Sequence, residues 1–226
     1  MKAMILAAGR GVRMRPLTDS TPKPLLSVCG KPLVVHLIEQ LRRSGFDDIV
    51  INVSHLGAMI EGVLGDGAAL GVRIAYSREA VALETAGGIA GALPLLGDGP
   101  FVVANGDIYS DFEFGRLRTV AETFSNGTLA HLVLVGNPPH HAAGDFCLRE
   151  GMLAAEGSPR LTFSGIGAYH PALFSAMAPG AHHALAALLR EPIASGRVSG
   201  EHYRGWWLDV GTPERLAQLE HHLAER

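Results

Sequence analysis

Hydrophobic and polar positions alternate along the first half of the chain as repeated strand and helix units. The apolar run at residues 3–7, the largely apolar run at 46–53 and the apolar run at 100–104 are typical of buried strands, and residues 71–76 predict a further strand. Between the first two runs, apolar residues recur at helical spacing until Gly45 stops the pattern: Leu33, Leu37, Ile38 and Leu41. Residues 56–64 predict a second helix. This alternation favours an α/β fold with a doubly wound, mostly parallel sheet and right-handed crossovers.

The second half of the chain changes character. Residues 112–124 predict a helix and residues 128–135 a strand, whereas the short segments 145–148 and 160–168 suggest antiparallel strands in a small lid subdomain. Helices are expected at about 171–177 and 181–195. Near the end, an aromatic run leads to Asp209, after which Thr212 caps a terminal helix with Pro213 at its first position.

The first strand runs into a glycine loop that carries an excess of cations. Gly9 and Gly11 let backbone N–H groups converge on an anion, and Arg13 and Lys23 add positive charge, although the whole chain has a net charge of −3. A dinucleotide-binding loop would need a third glycine where Met14 stands, and a Walker loop fits no better. The loop therefore favours a polyphosphate, and a plain glycine turn with solvated arginines is the alternative.

Composition narrows the possible partners. A pI near 6.4 speaks against a broad basic face for nucleic acid or a membrane surface, so small-molecule substrates are the expected partners. Cys29 and Cys147 lie far apart in sequence and predict neither a zinc site nor a disulfide framework. The apolar run before Gly9 is too short for a secretion signal, and no run reaches the length of a membrane span. We expect a cytoplasmic protein.

An aspartate follows the strand predicted at residues 100–104. In parallel sheets ligands bind beyond the carboxyl ends of the strands, so Asp107, displayed by Gly106, is a candidate Mg²⁺ ligand beside bound phosphates. A turn or helix-cap role is the alternative for this residue. Asp209, which ends a second strand, is on its own only part of a strand, cap and helix. The glycine loop at residues 83–89 is explained equally well by tight packing of a helix on the sheet.

Four ordered strings carry a resemblance to a known family. Leu-Ala-Ala-Gly is followed by Gly-x-Arg-Met-x-Pro-Leu-Thr and by Pro-Lys-Pro-Leu-Leu, and Trp-Leu-Asp-Val-Gly-Thr-Pro-Glu stands at residues 207–214. Over nearly its whole length the chain resembles the sugar-1-phosphate nucleotidyltransferases. The resemblance implies a Rossmann-like, GT-A-like fold in one domain, residues 1–226. A nucleotide-binding half would span about 1–110, and a sugar-binding lid and C-terminal part about 111–226. It also implies Mg²⁺ as cofactor, and the lack of C-terminal extensions suggests a monomer.

The resemblance also implies roles for single residues. Arg13 and Lys23 would be catalytic, and Asp107 and Asp209 would hold the metal. The nucleotide would be bound by eight residues: Ala8, Gly9, Gly11, Val12, Arg13, Lys23, Thr85 and Gly88. The sugar phosphate would be bound by Asn105, Gly144 and Glu156, although the sequence around Glu156 departs from the family's motif.

Within this family, segments 137–146, 161–166 and 200–205 are most similar to uridylyltransferases that act on N-acetylmuramic acid 1-phosphate. The implied reaction transfers a uridylyl group from UTP to that sugar, in recycling of cell-wall peptidoglycan. A hexose-1-phosphate nucleotidyltransferase with another base, acting on glucose or mannose 1-phosphate, is the alternative enzyme. A non-catalytic nucleotide-sugar sensor is the alternative from another class. The lactyl carboxylate of the sugar would pair with Arg204, with Arg160 or with neither.

Overall fold

The computed structural model describes residues 1–178 and 180–225, with the backbone alone at residues 125 and 126. The strands in this part of the chain are β1 (Ala3–Leu6), β2 (Ser27–Val28), β3 (Lys31–Pro32), β4 (Asp48–Val53), β5 (Arg73–Arg78), β6 (Phe101–Asn105), β7 (Ile108–Ser110), β8 (Ala130–Val135), β9 (Phe146–Arg149), β10 (Met152–Ala154), β11 (Arg160–Tyr169), β12 (Val198–His202) and β13 (Trp207–Asp209). The α-helices are α1 (Leu33–Arg43), α2 (Gly57–Leu64), α3 (Glu84–Leu96), α4 (Arg116–Glu122), α5 (Leu185–Leu188), α6 (Arg190–Ala194) and α7 (Pro213–Ala224).

Within the described residues, nine strands form one mixed sheet in the order β5-β4-β1-β6-β11-β8-β12-β10-β9. The strands β5, β4, β1 and β6 are parallel neighbours, and β8 and β12 run in the same direction. Strand β11 is antiparallel to both β6 and β8. The expected α/β class with a mostly parallel, doubly wound sheet is confirmed.

The antiparallel strands expected as a lid belong to this same sheet. β11 lies in the middle of it, where Ile166, Ala168 and Tyr169 are almost completely buried, while β9 and β10 form one edge. The register between β11 and β8 shifts between Phe163 and Ile166, where Gly165 adopts a left-handed φ of 81°. The sheet is continuous because β11 pairs with β6 on one side and with β8 on the other.

Three expected helices are shorter than the sequence pattern suggested. Residues 112–124 contain only α4, which continues into a 3₁₀ turn, and residues 171–177 contain a single 3₁₀ turn at Pro171–Phe174. Residues 181–195 form two short helices, α5 and α6, instead of one. Pro192 has no N–H to donate to the carbonyl of Leu188, which explains the break between the two helices.

Side chains alternate along each strand between two cores on opposite faces of the sheet. In β1, Ala3 and Ile5 pack with α1, α2 and α4, whereas Met4 packs with α3, α5 and α6. A third apolar cluster joins Met14 of the glycine loop to Leu219 of α7. No described helix has the length and apolar character needed to cross a membrane.

Candidate active site

The glycine loop after β1 is held in a tight turn around Gly11. This residue has a φ of 62°, and an added Cβ would lie 3.0 Å from Thr18 Cγ2 and 3.2 Å from Lys23 Cβ. The Thr18 hydroxyl and the Met14 N–H each donate to the Gly11 carbonyl at 2.8 Å. Only glycine combines this φ with this close approach. Gly9, by contrast, has nothing within 4 Å of its Cβ position.

A cavity of about 470 Å³ opens above this loop at the carboxyl ends of β1 and β6, and it is called the nucleotide cavity below after the residues that the sequence predicts to bind a nucleotide. Seven of the eight predicted nucleotide-binding residues line it: Ala8, Gly9, Gly11, Val12, Arg13, Lys23 and Thr85. Asn105 and Asp107 line the same cavity from the end of β6. Its size is within the range of about 300–1,000 Å³ that is usual for small-ligand sites, so the structure brings these residues around one ligand-sized space.

Gly88, the eighth predicted nucleotide-binding residue, lies inside α3 and does not line this cavity. Its Cβ position is 2.7 Å from both Asn52 Nδ2 and Glu79 Oε1, two residues that do line the cavity. The absence of a side chain at Gly88 therefore makes room for this polar pair. The packing explanation of the second glycine loop accounts for its position.

Asn52 and Glu79 are cavity residues that the sequence analysis missed. Asn52 is 3% exposed, accepts a hydrogen bond from the Ala7 N–H at 2.8 Å and donates to Glu79 Oε1 at 2.6 Å. Glu79 in turn accepts from the Leu83 N–H at 2.9 Å. These bonds tie the start of the glycine loop to the loop before α3 across the cavity floor. A single asparagine among the apolar residues 49–53 was the available sequence signal.

Lys23 forms an ion pair with Asp107. Its Nζ lies 2.5 Å from Asp107 Oδ2, and Lys23 is only 7% exposed. A lysine so deeply buried requires a partner, because an unpaired buried charge costs several kcal/mol, of the order of 3–5. The opposite charges of the two residues therefore cancel. Both line the nucleotide cavity, and Asp107 also lines a neighbouring cavity.

Asp209 is brought to the same edge by a short two-stranded ribbon. β13 pairs antiparallel with β7, with Asp209 opposite Ile108, and the Val210 N–H donates to the Asp107 carbonyl at 2.7 Å. Both aspartates line a further cavity of about 350 Å³, together with Arg13 and Asn105. The structure thus brings the two predicted metal ligands together, as the sequence analysis expected of their positions.

Asp209 also has a cationic partner that the sequence analysis missed. Arg215 Nη1, from the first turn of α7, lies 2.6 and 2.7 Å from the two carboxylate oxygens, and His140 Nε2 lies 3.1 Å from one of them. Thr212 caps α7 by accepting from the Arg215 N–H at 3.4 Å. This cap orients the first turn of the helix so that Arg215 reaches back to Asp209.

The carboxylates of Asp107 and Asp209 are suited to a hard cation whose other ligands are phosphate oxygens. Among the described residues, no group of three or more histidine, cysteine, aspartate or glutamate side chains is arranged to hold a metal ion. Asp107 and Asp209 offer oxygen donors alone. Mg²⁺ is commonly bound by one or two carboxylates with phosphate oxygens and water completing its shell, so this donor set fits that ion.

A second cavity of about 590 Å³ adjoins the nucleotide cavity and contains two of the three predicted sugar ligands. Asn105 lines both cavities, and Gly144 lines the second with a φ of 62° and its Cβ position 2.8 Å from Asn137 Oδ1. Glu156 is exposed in the loop after β10 and lines none of these three cavities. The structure therefore does not bring Glu156 to the other two residues.

The comparisons with known proteins agree with this geometry. Residues 2–147 match the family model described as nucleotidyl transferase. The chain belongs to the nucleotidyl transferase family.

Two relatives match the chain over nearly its whole length. The N-acetylmuramate alpha-1-phosphate uridylyltransferase of Neisseria meningitidis serogroup B is 52% identical over 224 residues, covering 97% of each chain. The protein of the same name from Caulobacter vibrioides is 36% identical over 236 residues, covering 99% of this chain and 97% of the relative.

A solved structure supports the fold. A Bacillus anthracis protein assigned as a glucose-1-phosphate thymidylyltransferase has a TM-score of 0.87 at 23% identity and covers 100% of this chain and 96% of its own.

Proposed function

We propose that the protein transfers a uridylyl group from UTP to N-acetylmuramic acid 1-phosphate, giving UDP-N-acetylmuramic acid and pyrophosphate, in peptidoglycan recycling. The observation that carries this proposal is the glycine-loop cavity with Lys23 and Asp107, joined through Asn105 to a second cavity large enough for a sugar. The relative of that name at 52% identity over the whole length supports the choice of sugar and base.

The reaction requires alignment and charge neutralisation more than a protein nucleophile. The attacking phosphate oxygen of the sugar 1-phosphate is already anionic, so it forms the new P–O bond directly at the α-phosphorus. The bond between that phosphorus and the bridging oxygen of the β-phosphate breaks, and pyrophosphate leaves with the electron pair. In this proposal Lys23 stands beside the α-phosphate and the incoming phosphate.

The glycine loop would bind the leaving group. Gly9 and Gly11 line the nucleotide cavity, and Arg13 lines both this cavity and the neighbouring cavity with the two aspartates. Fixed donors and a guanidinium placed around developing negative charge stabilise the transition state without reorganisation. We therefore propose that Gly11 and Arg13 hold the pyrophosphate as it leaves.

We propose Mg²⁺ as the cofactor, held by Asp107 and Asp209. When bound, Mg²⁺ would neutralise phosphate charge and help to align the reacting groups. Both carboxylates form ion pairs, Asp107 with Lys23 and Asp209 with Arg215. Lys23 and Arg215 would therefore have to share or release these carboxylates when the substrates bind.

We propose a division of the single domain near residue 110. The glycine loop and the loop before α3 come from the first part, whereas most of the sugar-side cavity comes from the second. The division has exceptions, because His182 and Gly211 also line the nucleotide cavity. Binding of UTP would accordingly depend on both parts.

The proposal is tested by incubating the protein with UTP, Mg²⁺ and N-acetylmuramic acid 1-phosphate and measuring pyrophosphate. Glucose, mannose and N-acetylglucosamine 1-phosphates and the other nucleoside triphosphates complete the panel. Asp209→Asn should lose most of the turnover, whereas Asp48→Asn, which alters an exposed ion pair with Arg73, should retain it. Turnover with only glucose or mannose 1-phosphate would contradict the proposed substrate. UTP binding without turnover of any sugar would favour a non-catalytic sensor.

A further inference from the structure

The second cavity has an apolar wall and a charged rim. It lies between the sheet strands β9 and β11 and the short helices α5 and α6, and Phe146, Phe163, Leu185 and Leu189 form much of its wall. It shares Thr85 and Asn105 with the nucleotide cavity, so the two spaces are contiguous. A sugar whose phosphate lies beside Lys23 would project past Asn105 into this space.

Three of the charged residues on the rim already have partners. Glu84 Oε1 lies 4.0 Å from His182 Nε2. Asp145 Oδ1 lies 2.9 Å from His141 Nε2, and Asp145 Oδ2 accepts from the Phe163 N–H at 2.8 Å. Arg160 Nη2 donates to the main-chain carbonyl of Asp145, which holds this guanidinium against the β9 strand. Asp145 and Arg160 are therefore both engaged in contacts within the protein.

Arg190 is the charged residue of this rim that differs. It stands at the first position of α6 and lines the cavity, and within residues 1–178 and 180–225 its guanidinium has no hydrogen bond or ion pair. Arg204, the other cation considered for a carboxylate, does not line the cavity. A guanidinium without a partner beside an apolar wall is suited to a carboxylate, which it can bind through two parallel hydrogen bonds.

We propose that Arg190 recognises the lactyl carboxylate of N-acetylmuramic acid 1-phosphate and so determines the preference for an acidic sugar. This inference rests on the proposed function. The apolar wall would take the methyl groups of the substrate, and Arg190 would neutralise the carboxylate that distinguishes this sugar from N-acetylglucosamine. Arg190 contacts the sugar far from the reacting phosphorus, so its contribution is to substrate affinity.

The experiment compares two substrates that differ only in charge: N-acetylmuramic acid 1-phosphate and the amide of its lactyl carboxyl group. Arg190→Gln should raise KM for the acid by about 10- to 100-fold, the equivalent of one charge-assisted hydrogen-bonded pair, with kcat and KM for UTP changed less than about threefold. For the amide, the wild-type KM should already be raised, and Arg190→Gln should raise it little further. Arg190→Lys should restore part of the preference for the acid.

Arg197→Gln is the matched control. Arg197 follows α6, does not line the cavity and donates to the Gly127 carbonyl at 3.0 Å, so its removal should leave the ratio of the two KM values unchanged. If Arg190→Gln raises KM for the acid and for the amide by the same factor, or changes neither KM, Arg190 does not recognise the carboxylate. If the wild type uses both substrates without preference, the inference is wrong and the proposed function stands. If the wild type uses neither, both are wrong.

Discussion

Replacing Gly88 by alanine tests whether the buried pair Asn52–Glu79 supports the nucleotide cavity. The new Cβ would lie 2.7 Å from Asn52 Nδ2 and 2.7 Å from Glu79 Oε1, closer than the 3.4 Å at which ordinary contacts of a Cβ begin. The two polar atoms are themselves 2.6 Å apart in a hydrogen bond. The methyl group would therefore push both atoms away and break or stretch this bond.

The expected change in stability combines two opposing effects. A glycine inside a helix is less favourable than alanine by about 1 kcal/mol, so the substitution gains that amount from α3 itself. Loss of a buried hydrogen bond to a charged group costs about 1.5–3 kcal/mol, and side-chain crowding adds to this. The net result is a loss of about 1–2 kcal/mol, or a decrease in Tm of about 2–8 °C for a chain of this size.

Gly91→Ala in the same helix is the matched control. No atom lies within 4 Å of the Gly91 Cβ position, so the helix gain should appear alone and raise Tm by about 1–4 °C. Thermal unfolding would be followed by circular dichroism, and UTP affinity by calorimetry. We expect weaker UTP binding for Gly88→Ala alone, because Asn52 and Glu79 line the cavity. An equal rise in Tm for both variants would refute this reasoning.

Three further predictions concern the region of Asp209 and the neighbouring strands β8 and β12. Thr212→Ala removes the cap that accepts from the Arg215 N–H at 3.4 Å, so Tm should fall by about 1–4 °C, equivalent to about 0.5–1 kcal/mol, and an unchanged Tm would show that this long bond contributes nothing. Arg215→Gln removes a cation that competes for Asp209, so titration of Mg²⁺ with UTP present should reach half-saturation at a lower concentration, and a higher concentration would contradict this. His131 beside Glu201 lowers the pKa of that carboxyl from 4.5, so Glu201→Gln should lower the free energy of unfolding at pH 7 by less than about 1 kcal/mol. The stability difference between the two proteins is present at pH values above the pKa of the Glu201 carboxyl in the unfolded chain. It should disappear, as measured by urea unfolding, as the pH falls through the lower pKa of this carboxyl in the folded protein.

Elements with a local sequence pattern were predicted well. The parallel half of the sheet followed from apolar runs separated by amphipathic helices, and the glycine loop followed from two glycines and a cluster of cations. Asp107 and Asp209 were expected at strand ends and lie together there. In each case the side chains that determine the structure are close in sequence to the feature they explain.

Features that depend on distant packing were not predicted. The position of β11 in the middle of the sheet requires pairing with β6 and β8, which are 55 and 25 or more residues away along the chain and impose no local pattern. The role of Gly88 depends on Asn52 from a different strand, and the pairing of Arg215 with Asp209 depends on how α7 starts. A single sequence contains no direct signal for such contacts.

Two ion pairs balance the charges of the candidate site. Lys23 and Asp107 neutralise each other, as do Arg215 and Asp209, so the candidate site avoids unpaired charge at a partly buried edge. The third apolar cluster joins Met14 of the glycine loop to Leu219 of α7, the helix that carries Arg215. A movement of α7 that separates Arg215 from Asp209 would therefore also change the packing of Met14, in the loop that is expected to bind the phosphates. The glycine loop and α7 are in packing contact within one cluster, so substitutions in this cluster should affect both.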